Sequence, residues 1–135
     1  MILAESRNGN TEAVRRLLEA GTDMNAKNNL GDTPLMLAAH YGQTETVKFL
    51  LENGADVNRE NRHGNTALLF AAYTGTTEMM KLLLEAGADV NATNGEDASA
   101  LSYAYELKDE AKREAIIKMC REYNAVEVTD GEISD

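Results

Sequence analysis

The chain has 135 residues, of which 43% are apolar and 5% aromatic, and a formal net charge of −10 with a pI near 4.6. The length suits one domain. The acidic balance argues against nucleic acid or an anionic membrane surface as a partner and favours a protein with a basic surface. One cysteine, Cys120, excludes an internal disulfide and a cysteine-held zinc.

No apolar run approaches the roughly 18 residues that a membrane span needs. The first residues lack the basic and apolar segments of a signal peptide. We therefore expect a cytoplasmic protein.

An internal repeat with a fixed period organises the sequence. Residues 31–63 and 64–96 are two copies of it and are identical at 18 of their 33 positions. Residues 1–30 form an incomplete copy before them, in which Glu5 and Ser6 replace the small Ala38 and Ala39. A terminal unit has a neighbour on one side only, so we expect these polar residues to lie on its outer side.

Residues 31–63 predict two short helices. Thr33 can cap the first, with Pro34 at its first position, and Gly42 ends it. Thr44 is predicted to cap the second. Apolar side chains at helical spacing are expected to face inward: Leu35, Ala38, Ala39, Val47, Leu50 and Leu51.

The turn after the second helix carries an Asp-Val-Asn triplet, Asp56 to Asn58, which recurs as Asp89 to Asn91. A metal or catalytic role is one interpretation. The other, which we favour, is a turn held by side-chain bonds to nearby backbone. Recurrence at the repeat period supports this second interpretation, because a catalytic site is used once.

Residues 64–96 repeat this pair of helices and the turn after it, with a few substitutions. Ala67 replaces Pro34, Phe70 replaces Leu37 and Met80 replaces Val47. We expect Phe70 and Met80 to be substitutions within the core.

Residues 97–123 read as a degraded fourth copy. Asp97 stands where the other copies have Gly, and Lys108 and Cys120 replace the two glycines that end the helices. An amphipathic helix is predicted from Lys108 to Tyr123, as suits a terminal cap. We expect Cys120 to be a half-buried, inert thiol at the end of that helix.

The last residues, 124–135, contain four acids and no base, which predicts a disordered tail. We favour a solubilising role for the tail over the alternative, long-range attraction of a basic partner.

The unit G-x-T-P-L-x-x-A-A-x-x-G followed by V-x-x-L-L-x-x-G-A-D-V-N resembles the ankyrin repeat. The resemblance implies an all-α solenoid of stacked helix-turn-helix units with short β-hairpin loops. It implies a single domain over residues 1–123, with repeats at about 1–30, 31–63, 64–96 and 97–123. Met36 and Leu69 stand where the family usually has His, so stability is expected to depend more on packing.

The family's usual activity is protein–protein binding through the hairpin tips and the concave helix face. This implies a non-catalytic, monomeric module that inhibits, protects or scaffolds a partner protein, with no cofactor and no metal. A fragment of a larger array, an enzyme and a designed scaffold are the alternatives. Carried over by position, the expected partner-binding residues are Leu30, Asp32, His40, Tyr41, Arg62, His63, Asn65, Tyr73, Thr74 and Glu106.

The centre of the contact patch is predicted at His40, Tyr41 and Tyr73, because tyrosine is a frequent anchor of protein interfaces. The alternative is that these side chains are merely exposed at positions without a core constraint. No metal-binding or nucleophile motif accompanies the two histidines.

Overall fold

A computed structural model describes residues 1–123, which form eight helices in four consecutive pairs. The helices are α1 (Ile2–Asn8), α2 (Thr11–Glu19), α3 (Pro34–His40), α4 (Thr44–Glu52), α5 (Ala67–Thr74), α6 (Thr77–Glu85), α7 (Ala100–Tyr105) and α8 (Glu110–Glu122). The first helices of the pairs pack against one another in one layer, and the second helices form another. The predicted acidic tail, residues 124–135, lies outside the described residues.

This architecture confirms the all-α class and the stacking of helix pairs. The loops between pairs differ from the expected β-hairpins, since no strand forms within residues 1–123. Each loop is a turn closed by a few backbone bonds, such as Asn28 N–H to Asp32 C=O at 3.1 Å and Gly31 N–H to Asn28 C=O at 2.9 Å. A strand ladder would need a longer run of paired backbone than these loops provide.

The first helices begin as predicted. The Thr33 hydroxyl accepts from the N–H of Met36 at 3.3 Å, and Pro34 occupies the first helical position. Thr66 accepts from the N–H of Leu69 in the same way, also at 3.3 Å. Such a cap contributes about 1 kcal/mol to stability.

The predicted cap at Thr44 is wrong. Gly42 takes the left-handed conformation, with φ of 75°, and the N–H of Gln43 returns to the C=O of Ala38 at 2.8 Å. Because this turn is so tight, Gln43 is already the cap residue and Thr44 is the first residue of α4. The Gln43 side chain instead donates to the C=O of Arg7 at 2.9 Å, which joins the first two pairs.

The core lies between the two layers. Of the six side chains predicted to face inward in residues 31–63, all are buried except Leu51, which is half-buried against the core. Met36 and Leu69 are each 1% exposed, so apolar packing fills the positions where the family usually has His. Met80 is buried as expected, and burying a side chain of this size stabilises the fold by roughly 1.5–3 kcal/mol.

Two packing predictions are corrected. Phe70 is only half-buried, because its position faces the exposed side of α5 rather than the core. Ser6 is fully buried instead of lying on the outer side of the first unit. Its position is equivalent to that of Ala39, which packs between the layers, and α1 packs on α3 at this face.

The fourth pair ends the stack with a longer helix. Where glycine ends the second helix of the earlier copies, Cys120 continues α8, which has 13 residues against nine in α4 and α6. The predicted amphipathic helix is therefore confirmed, but Cys120 lies inside it. Asp97 adopts the left-handed φ of 61° in place of glycine, a conformation that Asp tolerates better than most residues.

Candidate functional site

One asparagine organises each loop, and sequence reasoning did not single these residues out. The Asn61 Oδ1 atom accepts from the N–H groups of His63 at 2.9 Å and Asn65 at 3.0 Å. Asn28 and Asn94 do the same in the loops before and after it. The signal that could have identified them is their spacing, which equals the period of the repeat.

Adjacent loops are also bonded to each other. The N–H of Arg62 donates to the C=O of Leu30, and the N–H of Gly95 donates to the C=O of His63, both at 2.9 Å. The packing is close at this point: a Cβ on Gly31 would lie 3.1 Å from the Arg62 nitrogen. The loops therefore form one connected row.

Two predicted partner-binding residues belong to this row. Asp32 is 8% exposed, and its Oδ1 accepts from the Asn61 amide at 2.9 Å. Asn65 is half-buried, and its Oδ1 accepts from the Asn94 amide at the same distance. In both side chains this oxygen therefore binds the next repeat, and contact of either residue with a partner stays a prediction.

The other predicted residues are exposed to different degrees. Leu30, Tyr41 and Tyr73 are 52%, 53% and 64% exposed. His40 is half-buried, and the remaining four are exposed: Arg62, His63, Thr74 and Glu106. The Thr74 hydroxyl donates to the last turn of its own helix, to the C=O of Phe70 or Ala71 at 3.2 and 3.1 Å, and lies 3.1 Å from the Thr76 hydroxyl.

Aromatic rings pair across neighbouring first helices, between α3 and α5 and between α5 and α7. The His40 ring stacks on Phe70 with centroids 4.7 Å apart and planes 14° apart, and it also contacts Tyr41 at 4.7 Å. Tyr73 meets Tyr103 edge to face at 5.4 Å. We call these five residues the aromatic strip. Phe70 and Tyr103 were missed by sequence reasoning, although they share a repeat position with Leu37.

A small pocket of about 170 Å³ opens between the two ring pairs, lined by His40, Asn65, Leu69, Phe70, Tyr73 and Tyr103. A larger cavity of about 700 Å³ lies beside it between two loops. Its amide side chains, Asn61, Asn65 and Asn94, are already bonded within the chain. That cavity is thus a groove between repeats whose amide side chains hold the loops.

The Asp-Val-Asn triplets hold turns and join neighbouring repeats, in line with the structural interpretation that we favoured. Asp56 Oδ1 accepts from the N–H of Asn58 at 3.1 Å, and Asn58 Oδ1 accepts from the N–H of Asp89 in the next repeat at 2.8 Å. Over residues 1–123 no three His, Cys, Asp or Glu side chains cluster as a metal site would require.

Cys120 is fully buried rather than half-buried. Burial raises the pKa of its thiol to about 11, because the thiolate is poorly solvated there. At neutral pH the group is therefore a thiol, which is a weak nucleophile.

Comparison with known proteins was consistent with this geometry. A family model described as ankyrin repeats, in three copies, matches residues 1–94. A search of curated proteins gave no match. No helix among residues 1–123 is both long and apolar enough to cross a membrane.

Proposed function

The chain belongs to the ankyrin-repeat family, whose repeats are generally protein–protein interaction modules, and we propose that it binds a partner protein through the aromatic strip and the loop tips. It does so without catalysis, as a monomer in its free state, and its acidic charge selects a partner with a basic surface. Binding inhibits, protects or scaffolds the partner.

One observation carries this proposal: large aromatic side chains are exposed at positions where the repeats differ. Tyr41 and Tyr73 are more than half exposed although each contacts another aromatic ring. Repeat positions that serve the fold keep the same residue type, whereas the pair His40-Tyr41 becomes Tyr73-Thr74 in the next copy. Aromatic side chains of this kind are typical anchors of binding interfaces.

The scaffold under the strip supports the same function. Bonds within and between the loops fix the loop tips at Leu30, Arg62 and His63 before any partner arrives. A surface that is ordered in advance loses less conformational entropy on docking. This rigidity supports recognition by a preformed surface rather than by folding upon binding.

The proposal is tested by removing the two exposed rings, Tyr41→Ala together with Tyr73→Ala. Wild-type and variant chains are immobilised and used to capture proteins from an extract of the producing cells, with quantitative mass spectrometry. We expect a partner held by wild type to be depleted at least tenfold by the variant, as the loss of interface anchors predicts.

Tyr123→Ala is the matched control, because Tyr123 is an exposed tyrosine outside the strip, at the end of α8. It should capture the same partner as wild type. If the double variant retains every protein that wild type captures, the strip is not the binding surface.

A further inference from the structure

We propose that the pocket between the two ring pairs receives one arginine side chain of the partner. The inference rests on the proposed function and names the chemistry of its central contact. It follows from three properties of the pocket: the residues that line it, its size and the charge around it.

The lining is aromatic and contains neither lysine nor arginine. Four of its six residues carry rings, the stacked pair His40 and Phe70 and the perpendicular pair Tyr73 and Tyr103. Aromatic rings attract a cation held against their faces. The planar guanidinium of arginine can also stack on a ring, which the ammonium of lysine cannot do.

The size indicates a side chain rather than a small molecule. Sites for small molecules occupy about 300–1,000 Å³, whereas this pocket measures about 170 Å³. It accepts a flexible, unbranched stem that ends in a compact polar group. Long basic side chains fit this description, since they bury their stems and keep their heads near water.

Charge selects a basic occupant. Residues 1–123 carry −6 of the chain's net charge of −10, so an acidic occupant would be repelled both by the described part of the molecule and by the ring faces. The two adjoining cavities are lined by more carboxylates than basic groups: Glu60, Glu96 and Glu106 against Arg62 and Lys108. Glu106 occupies the same repeat position as His40 and Tyr73, so a carboxylate stands one repeat beyond Tyr73.

Tyr103 is the residue that makes the pocket specific to this place in the stack. It lines the aromatic pocket and both neighbouring cavities. The amide of Asn94 donates to its hydroxyl at 2.9 Å, which fixes the ring. The equivalent position in the second repeat holds Leu37, so the cavity there lacks this ring.

The test uses four blocked tripeptides, acetyl-Gly-X-Gly-amide, in which X is arginine, lysine, norleucine or glutamate. Each is titrated into the labelled full chain while the ring resonances of the pocket are followed by NMR. We expect saturable shifts with arginine, weaker binding with lysine, and at least fivefold weaker binding with norleucine and glutamate. Norleucine is the decisive comparison because it offers a stem of similar length without the charge.

Two variants assign the shifts to the pocket. Tyr73→Ala removes an exposed ring, and Tyr103→Leu installs the residue of the second repeat. Both should abolish the preference for arginine over norleucine, whereas Tyr123→Leu should leave it unchanged. Because Tyr73 is 64% exposed, its replacement tests the pocket even if Tyr103→Leu unfolds.

Equal affinity for arginine and norleucine, or no shift of the pocket rings with any peptide, would overturn the inference. These results are independent of the capture experiment above. Loss of capture on removing Tyr41 and Tyr73 while the peptides show no preference would retain the proposed function and reject the arginine pocket. Preference for arginine without any strip-dependent capture would reject the proposed function.

Discussion

Single residues in this chain show which parts of a repeat are free to change. Thr33 and Thr66 cap their helices as the sequence predicts, because a cap needs only a hydroxyl at one local position. Ser6 could not be placed in this way. Its burial depends on how α1 packs on α3, and its polar side chain suggested the outer side instead.

Ser6 gives a prediction for stability. Its hydroxyl is fully buried and has no hydrogen-bond partner among the described residues, while the equivalent residues of the next copies are Ala39 and Ala72. A buried polar group without a partner costs about 1–3 kcal/mol. We therefore expect Ser6→Ala to raise the free energy of unfolding by about 1 kcal/mol, measured by urea denaturation.

Ser102→Ala is the opposite case. The Ser102 hydroxyl accepts from the N–H of Ser99 at 2.8 Å and can donate to its C=O at 2.9 Å, so its removal should lower the same free energy. Destabilisation by Ser6→Ala would mean that the hydroxyl finds a partner in solution.

Helices and loops were predictable to different degrees. Helix bounds follow from caps, glycines and apolar spacing, which act within a few residues. The exception is the start of α4, where the left-handed Gly42 and the returning Gln43 moved the cap by one position. Loop structure depends on hydrogen bonds such as the one from Asn61 to Asp32, which joins residues 29 apart in the chain. The sequence shows that the loop asparagines recur at the repeat period, but it does not show these bonds.

The substitution Asn61→Asp should separate the two hydrogen-bonding roles of Asn61, which accepts bonds within its own loop and donates one to Asp32. The carboxylate can still accept from His63 and Asn65, but it faces the Asp32 carboxylate across the contact that now measures 2.9 Å. We expect the free energy of unfolding at pH 7 to fall by about 2 kcal/mol.

The loss in free energy of unfolding that Asn61→Asp causes should become smaller as the pH falls. Two facing carboxylates raise the pKa of one of them in the folded variant. The folded variant then binds a proton more readily than the unfolded chain, so acidification favours folding of the variant relative to wild type. Asn61→Ala lacks the second carboxylate, and its deficit should stay constant over the same pH range in denaturant titrations. Parallel pH profiles for the two variants would contradict the assigned pairing.

At the scale of the whole molecule, the repeat period predicts four units, and the resemblance to the family implies that they stack. It did not predict the aromatic strip, because the ring pairs, His40 with Phe70 and Tyr73 with Tyr103, are closer in the chain than one full period. His40 lies one helical turn after Leu37, and it contacts Phe70, which stands at the position of Leu37 in the next repeat. Tyr73 contacts Tyr103 in the same way. The sequence contains both rings of each pair, but only the stacking of α3, α5 and α7 brings them together.

The central claim is that the strip is the surface that contacts the partner, and site-specific photo-crosslinking tests it most directly. A benzophenone side chain is introduced at Tyr73 on the strip or at Glu85, an exposed residue at the end of α6 on the other layer. Each chain is irradiated in an extract of the producing cells. The account predicts one dominant protein adduct from position 73 and none of that protein from position 85. Adducts of the same protein in equal yield from both positions, or only from position 85, would contradict it.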